Sequence, residues 1–137
     1  MYFFSYGMNS RLQSHGKHGI YLFQGKIIVL DAGHGGPDGG AVGGDEIIEK
    51  KKLRLRLRKK VQDYLQEQGA LVIMTRTKDE DLADEDTKGY SRRKVEDLRR
   101  RVEIVNNSDA DFFVSIHLNA IPIPSSRGAQ TFFIAVR

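Results

Sequence analysis

The chain has 137 residues, a formal net charge of +4 and no cysteine. That length suits one ordinary domain with a single core. The missing cysteines exclude disulfide staples, thiolate metal sites and a cysteine nucleophile. The longest apolar runs, residues 70–74 and 132–136, fall far short of the roughly 20 residues that span a bilayer, so no transmembrane segment is expected.

Residues 1–25 mix aromatics with Ser, Gly, His and Asn without a clear period and read as a flexible N-terminal extension. They show no basic segment followed by an apolar one, so no secretory signal is readable. His15 and His18 lie there, where a metal role is not expected. The second region, residues 26–137, reads as the folded domain.

Residues 26–31 (KIIVLD) form a short apolar, β-branched run and predict a buried strand. Residues 32–44 follow with seven glycines and one proline, a loop that needs unusual backbone angles. Glu49, Leu53, Leu57, Val61 and Leu65 recur every four residues and predict a helix over 49–68, with Gly69 just past its end. Residues 70–75 predict a second strand. Ser91 is expected to cap a helix running to about Asn107, with Val95, Leu98, Val102 and Val105 on its buried face. Residues 111–118 and 129–136 predict two further strands, separated by a Pro-rich turn.

The order β-α-β-α-β-β argues for an α/β fold with a mostly parallel or mixed sheet flanked by helices. Charge is segregated along it. Residues 50–60 carry eight basic side chains and residues 79–86 carry six acidic ones, and both are expected to be solvated surfaces. A nucleic-acid role for the basic run finds no interleaved stacking aromatics and no nucleic-acid motif. The glycine-rich loop matches neither phosphate-binding pattern, G-x-G-x-x-G opening a helix or G-x-x-x-x-G-K-S/T.

In a parallel sheet the C-terminal strand ends share one edge, and ligands bind there. His34 lies just past the first strand, His117 at the end of the third, and Glu49 opens the helix leaving the first loop. Two His and one Glu form a catalytic zinc ligand set that leaves a fourth position for water, which suits amide hydrolysis. At this level the alternative stays open that each His is simply hydrogen-bonded at a surface. Asp31 and Asp38 are candidate partners of those ligands or loop caps, and for Asp38 the cap is preferred.

The blocks KIIVLDAGHGGPDGGAVGG, Glu49-Lys50, LVIMTR, the helix around residues 98–106 and DFFVSIHLNA resemble the zinc-dependent N-acetylmuramoyl-L-alanine amidases of the type 3 class. Within that class they most resemble its germination-specific, CwlD-like branch. The resemblance covers residues 26 to about 133. It implies cleavage of the amide between N-acetylmuramic acid and the L-alanine of the stem peptide, with Zn2+ held by His34, Glu49 and His117. It also implies a substrate contact at Asn119, peptidoglycan as partner and a site of action outside the cytoplasm, at the cell wall or spore cortex.

The chain departs from the family pattern in several places. The family's general base is a second glutamate on a late strand, and residues 118–137 contain no Glu. The catalytic base is therefore expected to lie beyond this chain, along with the last strands of the sheet. Lys51 stands where the family usually has Asp or Asn, and residues 121–124 (IPIP) replace the usual turn. The alternative function is a zinc- and wall-binding remnant without turnover. The final strand, if left as an edge, is a route to self-association.

Overall fold

The structure is a computed structural model and describes residues 2–8, 21–38, 46–118 and 128–134. Strands and helices in chain order are β1 (Tyr2–Met8), β2 (Ile27–Ala32), α1 (Glu46–Glu67), β3 (Leu71–Met74), α2 (Tyr90–Asn106), β4 (Phe112–Leu118) and β5 (Ala129–Ile134). They build an α/β domain around a five-stranded sheet ordered β3-β2-β4-β1-β5. The strands β3, β2 and β4 are mutually parallel. The antiparallel pairing of β1 with β4 makes the sheet mixed.

β2 lies between β3 and β4, and all of it from Ile28 to Ala32 is buried, apolar except for Asp31, as in strands covered on both faces. Ile28 pairs with Phe112 and Leu30 with Val114. Ile28 and Phe112 bury with Leu65 of α1, and Val61, Val72 and Phe23 pack around them. The Phe23 and Phe112 rings meet edge to face at 6.3 Å. α1 ends as its sequence dictates. Gly69 takes a left-handed φ of 88°, and the Ala70 N–H returns to the Leu65 carbonyl.

Three expectations need correction. Residues 1–25 are not irregular throughout, since Tyr2–Met8 form β1 between β4 and β5. Its aromatics favour a strand, and Tyr2, Phe4, Tyr6 and Met8 alternate with Ser5 and Gly7, a short pattern that Phe3 interrupts. Phe23 likewise joins the core, while residues 9–20, with His15 and His18, lie outside the described residues.

The second correction concerns α2. Val95, Leu98 and Val102 are exposed, at 69%, 52% and 56%, and the buried residues of the helix are Asp97 and Arg101. Nor does Ser91 cap it: the helix begins at Tyr90, after Gly89 at φ 90°, with no side-chain cap bond. The face turned to the sheet is chosen by Asp31, a buried acid in β2 that needs a cation, and Arg101 supplies it at 2.8 Å.

The acidic run is mostly the solvated surface expected, with Asp79, Glu80, Asp84, Glu85 and Asp86 exposed, and the third correction is confined to Asp81, which is half-buried. Asp81 pairs with Arg93 and Asp84 with Arg100, so α2 holds the preceding loop by ion pairs. The Leu82 N–H also donates to Asp97 at 2.9 Å. The described part of the basic run fits a solvated face better: Lys59 and Lys60 are exposed, although Arg58 donates to the Arg76 carbonyl at 3.1 Å.

Candidate functional site

The site is assembled by strand register. Ala32 at the end of β2 lies opposite Ile116 in β4. The ladder continues one step further, with the Gly33 N–H donating to the Ile116 carbonyl at 2.9 Å. His34 and His117 each follow immediately, so two imidazoles 83 residues apart in sequence meet at one edge. Their rings stand edge to face with centroids 4.9 Å apart, and His34 Nε2 lies 3.3 Å from His117 Nδ1.

Gly33 permits this approach, because a Cβ there would overlap the His117 ring. Burial, followed by the neighbouring His34, holds the His117 imidazole below its ordinary pKa. It is therefore kept in the neutral form that binds metals.

The other His34 nitrogen, Nδ1, faces Asp38 Oδ2 at 3.3 Å. Asp38 is also paired with Lys94 at 3.2 Å. A carboxylate on the far nitrogen fixes the tautomer and orientation of a histidine and raises its basicity as a ligand. The preferred reading of Asp38 as a loop cap is thus incomplete. Its backbone does close the loop with Gly35, while its side chain orients His34.

Asp31 lies behind the site. Ser115 donates to it at 2.6 Å, Thr75 at 2.6 Å and Arg101 at 2.8 Å. Burial pushes its carboxyl upward, but the Arg101 charge and these hydrogen bonds outweigh that, leaving it below the ordinary carboxylate value. Asp31 is therefore a buried structural anion under the loop, with both of its oxygens engaged by Ser115, Thr75 and Arg101.

The two histidines suit a tetrahedral metal. Two nitrogens bound to one zinc at roughly 2.0–2.1 Å lie about 3.3 Å apart, the separation found here. Glu49 lies in the first turns of α1, but its side chain falls outside what is described, as does Asn119. No group of three His, Cys, Asp or Glu side chains placed to hold one metal ion occurs among the described residues. Sequence reasoning missed Arg76, Asp97 and Arg101. The signal available for them was the acid inside the apolar strand, which demands a buried cation nearby.

The structure is thus an α/β sheet whose C-terminal strand edge carries the His34–His117 pair. The chain belongs to the N-acetylmuramoyl-L-alanine amidase family, whose model matches residues 28–136. It is 64% identical over 109 residues to the germination-specific N-acetylmuramoyl-L-alanine amidase of Bacillus subtilis, an alignment covering 80% of this chain and 45% of that protein. It is 33% identical to the amidase AmiA of Escherichia coli, covering 82% of this chain and 34% of that protein. Among solved structures it resembles the CwlD amidase of Clostridioides difficile, determined in complex with the GerS lipoprotein. The TM-score is 0.65 at 40% identity, over 74% of this chain and 52% of that one. The chain thus spans about half or less of the length of these relatives.

Proposed function

We propose that this chain carries the metal-holding part of a peptidoglycan amidase that cleaves the bond between N-acetylmuramic acid and L-alanine, in cell-wall or spore-cortex remodelling. The observation carrying this reading is the His34–His117 pair, 3.3 Å apart at the C-terminal ends of the parallel strands β2 and β4, in a chain of the amidase family. Family membership supports Glu49 as third ligand and Asn119 as a substrate contact. The likeness to a germination-specific relative supports action outside the cytoplasm. No helix among the described residues is long and apolar enough to cross a membrane.

A zinc ion held by His34, His117 and Glu49 would supply a Lewis acid that polarises the amide carbonyl and acidifies water. The chain's own residues prepare the place. Asp38 holds the outer nitrogen of His34. Burial keeps the His117 imidazole neutral. The lack of a side chain at Gly33 lets the two rings close on one point.

A second reading is zinc and wall binding without turnover, as for a metal site that works without a general base. A general base contributes about 10² to 10⁴ in rate. The test is release of new L-alanine amino termini from purified peptidoglycan, with added zinc, with chelator and with His117→Ala. Zinc-dependent release abolished in His117→Ala is expected under the first reading. Zinc-dependent pelleting with peptidoglycan and no release would establish the second. Release that survives both chelator and His117→Ala would contradict both.

A further inference from the structure

We propose that Arg76 and Arg101 form a guanidinium clamp that positions His34 by gripping three successive backbone carbonyls. The inference deepens the reading of His34 as a ligand and rests on it for its consequence, though not for its geometry. Arg76 Nε donates to the Ala32 carbonyl at 2.7 Å and its Nη2 to the Gly33 carbonyl at 3.1 Å. Arg101 Nη1 donates to the Ala32 carbonyl at 2.9 Å and its Nη2 to the His34 carbonyl at 2.9 Å. Both arginines are buried. They arrive from different elements, Arg76 from just past β3 and Arg101 from α2.

The clamp explains an otherwise costly backbone. His34 has φ 59°, a left-handed conformation that side chains other than glycine seldom adopt. Such a residue persists only where its surroundings over-determine it. Here the carbonyls of Ala32, Gly33 and His34 are all fixed, and the Gly33 N–H is bound to Ile116. The backbone that turns the His34 ring toward His117 is therefore held by the two arginines. The next residue, Gly35, is shaped by the same grip, since a Cβ there would meet the Arg76 guanidinium and the Glu80 carbonyl. A planar fork of five donors can span several carbonyls, whereas a lysine ammonium is a point charge and cannot reproduce that span.

Arg101 also neutralises Asp31 and Asp97, so its loss has a purely structural cost as well. Arg76→Lys is for that reason the decisive variant. It is compared with Arg101→Lys and with Lys26→Met, which breaks the Lys26–Asp111 pair at the opposite end of β2. Two readouts are taken on the 137-residue chain. One is the nuclear Overhauser effect between the His34 and His117 rings in the metal-free state. The other is zinc affinity by competition with a chromophoric chelator.

The clamp predicts that Arg76→Lys stays folded, no longer shows the ring-to-ring Overhauser effect and binds zinc about 10-fold or more weakly. Lys26→Met keeps both properties even where its thermal stability falls as far. A folded Arg76→Lys with the Overhauser effect and zinc affinity of the parent would overturn the proposal. Unfolding of Arg76→Lys would also overturn it, because the residue would then hold the domain rather than aim the ring. Should Arg101→Lys unfold, that follows from its two carboxylates, and Arg76→Lys decides alone. A parent that binds no zinc, with the rings separated in Arg76→Lys, would leave the clamp standing and remove the metal reading.

Discussion

Ile28 and Asp31 are three residues apart on one strand and face opposite sides of the sheet. Ile28 looks toward α1 and meets Leu65 and Phe112 in a dry cluster. Asp31 meets Arg101 of α2, with Ser115 and Thr75 completing its hydrogen bonds. The first side is held by apolar area and close packing, which are indifferent to direction. The second is held by forks and carboxylates, which prescribe where each backbone atom sits. The loop that carries His34 is fixed by the second kind of interaction. The site therefore rests on the polar side of the sheet, while the apolar side supplies cohesion.

The division between the two sides is most exposed to challenge at Arg101. Arg101→Met leaves two buried carboxylates without their cation and is expected to cost about 3–5 kcal/mol in urea unfolding of the metal-free chain. A loss below about 1 kcal/mol, on the order of a surface ion pair, would show that the polar side is not built as described. Leu65→Ala tests the apolar side. It should cost roughly 3 kcal/mol through lost transfer energy and a cavity, while leaving the His34 and His117 rings adjacent.

Acid titration separates the two sides further. The Asp31 carboxyl lies below its ordinary value in the folded chain. Its stabilising contribution is therefore complete above the unfolded pKa, near 3.8, and is lost as the pH falls through the lower folded value. Hydrogen bonds from Lys26 and the Ile27 N–H lower Asp111 in the same direction. Unfolding free energy should thus decline below about pH 4, and Asp31→Asn should flatten that decline. The Leu65→Ala variant should keep the parent's slope. The smallest effect belongs to the exposed stripe of α2, where Leu98→Ser should stay within about 0.5 kcal/mol of the parent. A larger loss would mean that this stripe is covered.

Much of the apolar side is legible in the sequence. The four-residue recurrence ending at Leu65 marks α1, and the short β-branched runs mark β2, β3 and β4 to within a residue or two. The meeting of His34 and His117 follows from placing both at C-terminal strand ends, since register does the rest.

α2 misleads because it carries two stripes at helical spacing. Val95, Leu98 and Val102 form one, while Asp97 and Arg101 form the other. Hydrophobic periodicity selects the first, but the buried acid in β2 selects the second. β1 carries a period-two pattern, Tyr2, Phe4, Tyr6 and Met8 against Ser5 and Gly7, but Phe3 breaks it and the Ser, Gly, His and Asn that follow hide it. The role of Asp38 depends on the left-handed turn at His34, which brings a residue four positions ahead back onto the imidazole. No spacing rule announces a left-handed histidine.

Every functional statement about this domain depends on His34 and His117 converging on one metal ion. Zinc titration of the purified, metal-stripped chain probes that convergence, beside His34→Ala and His117→Ala, with folding of all three followed by circular dichroism. One zinc per parent chain is expected, and neither variant should retain it. A folded parent that takes up no zinc, or variants that bind it as tightly as the parent, would refute the convergence.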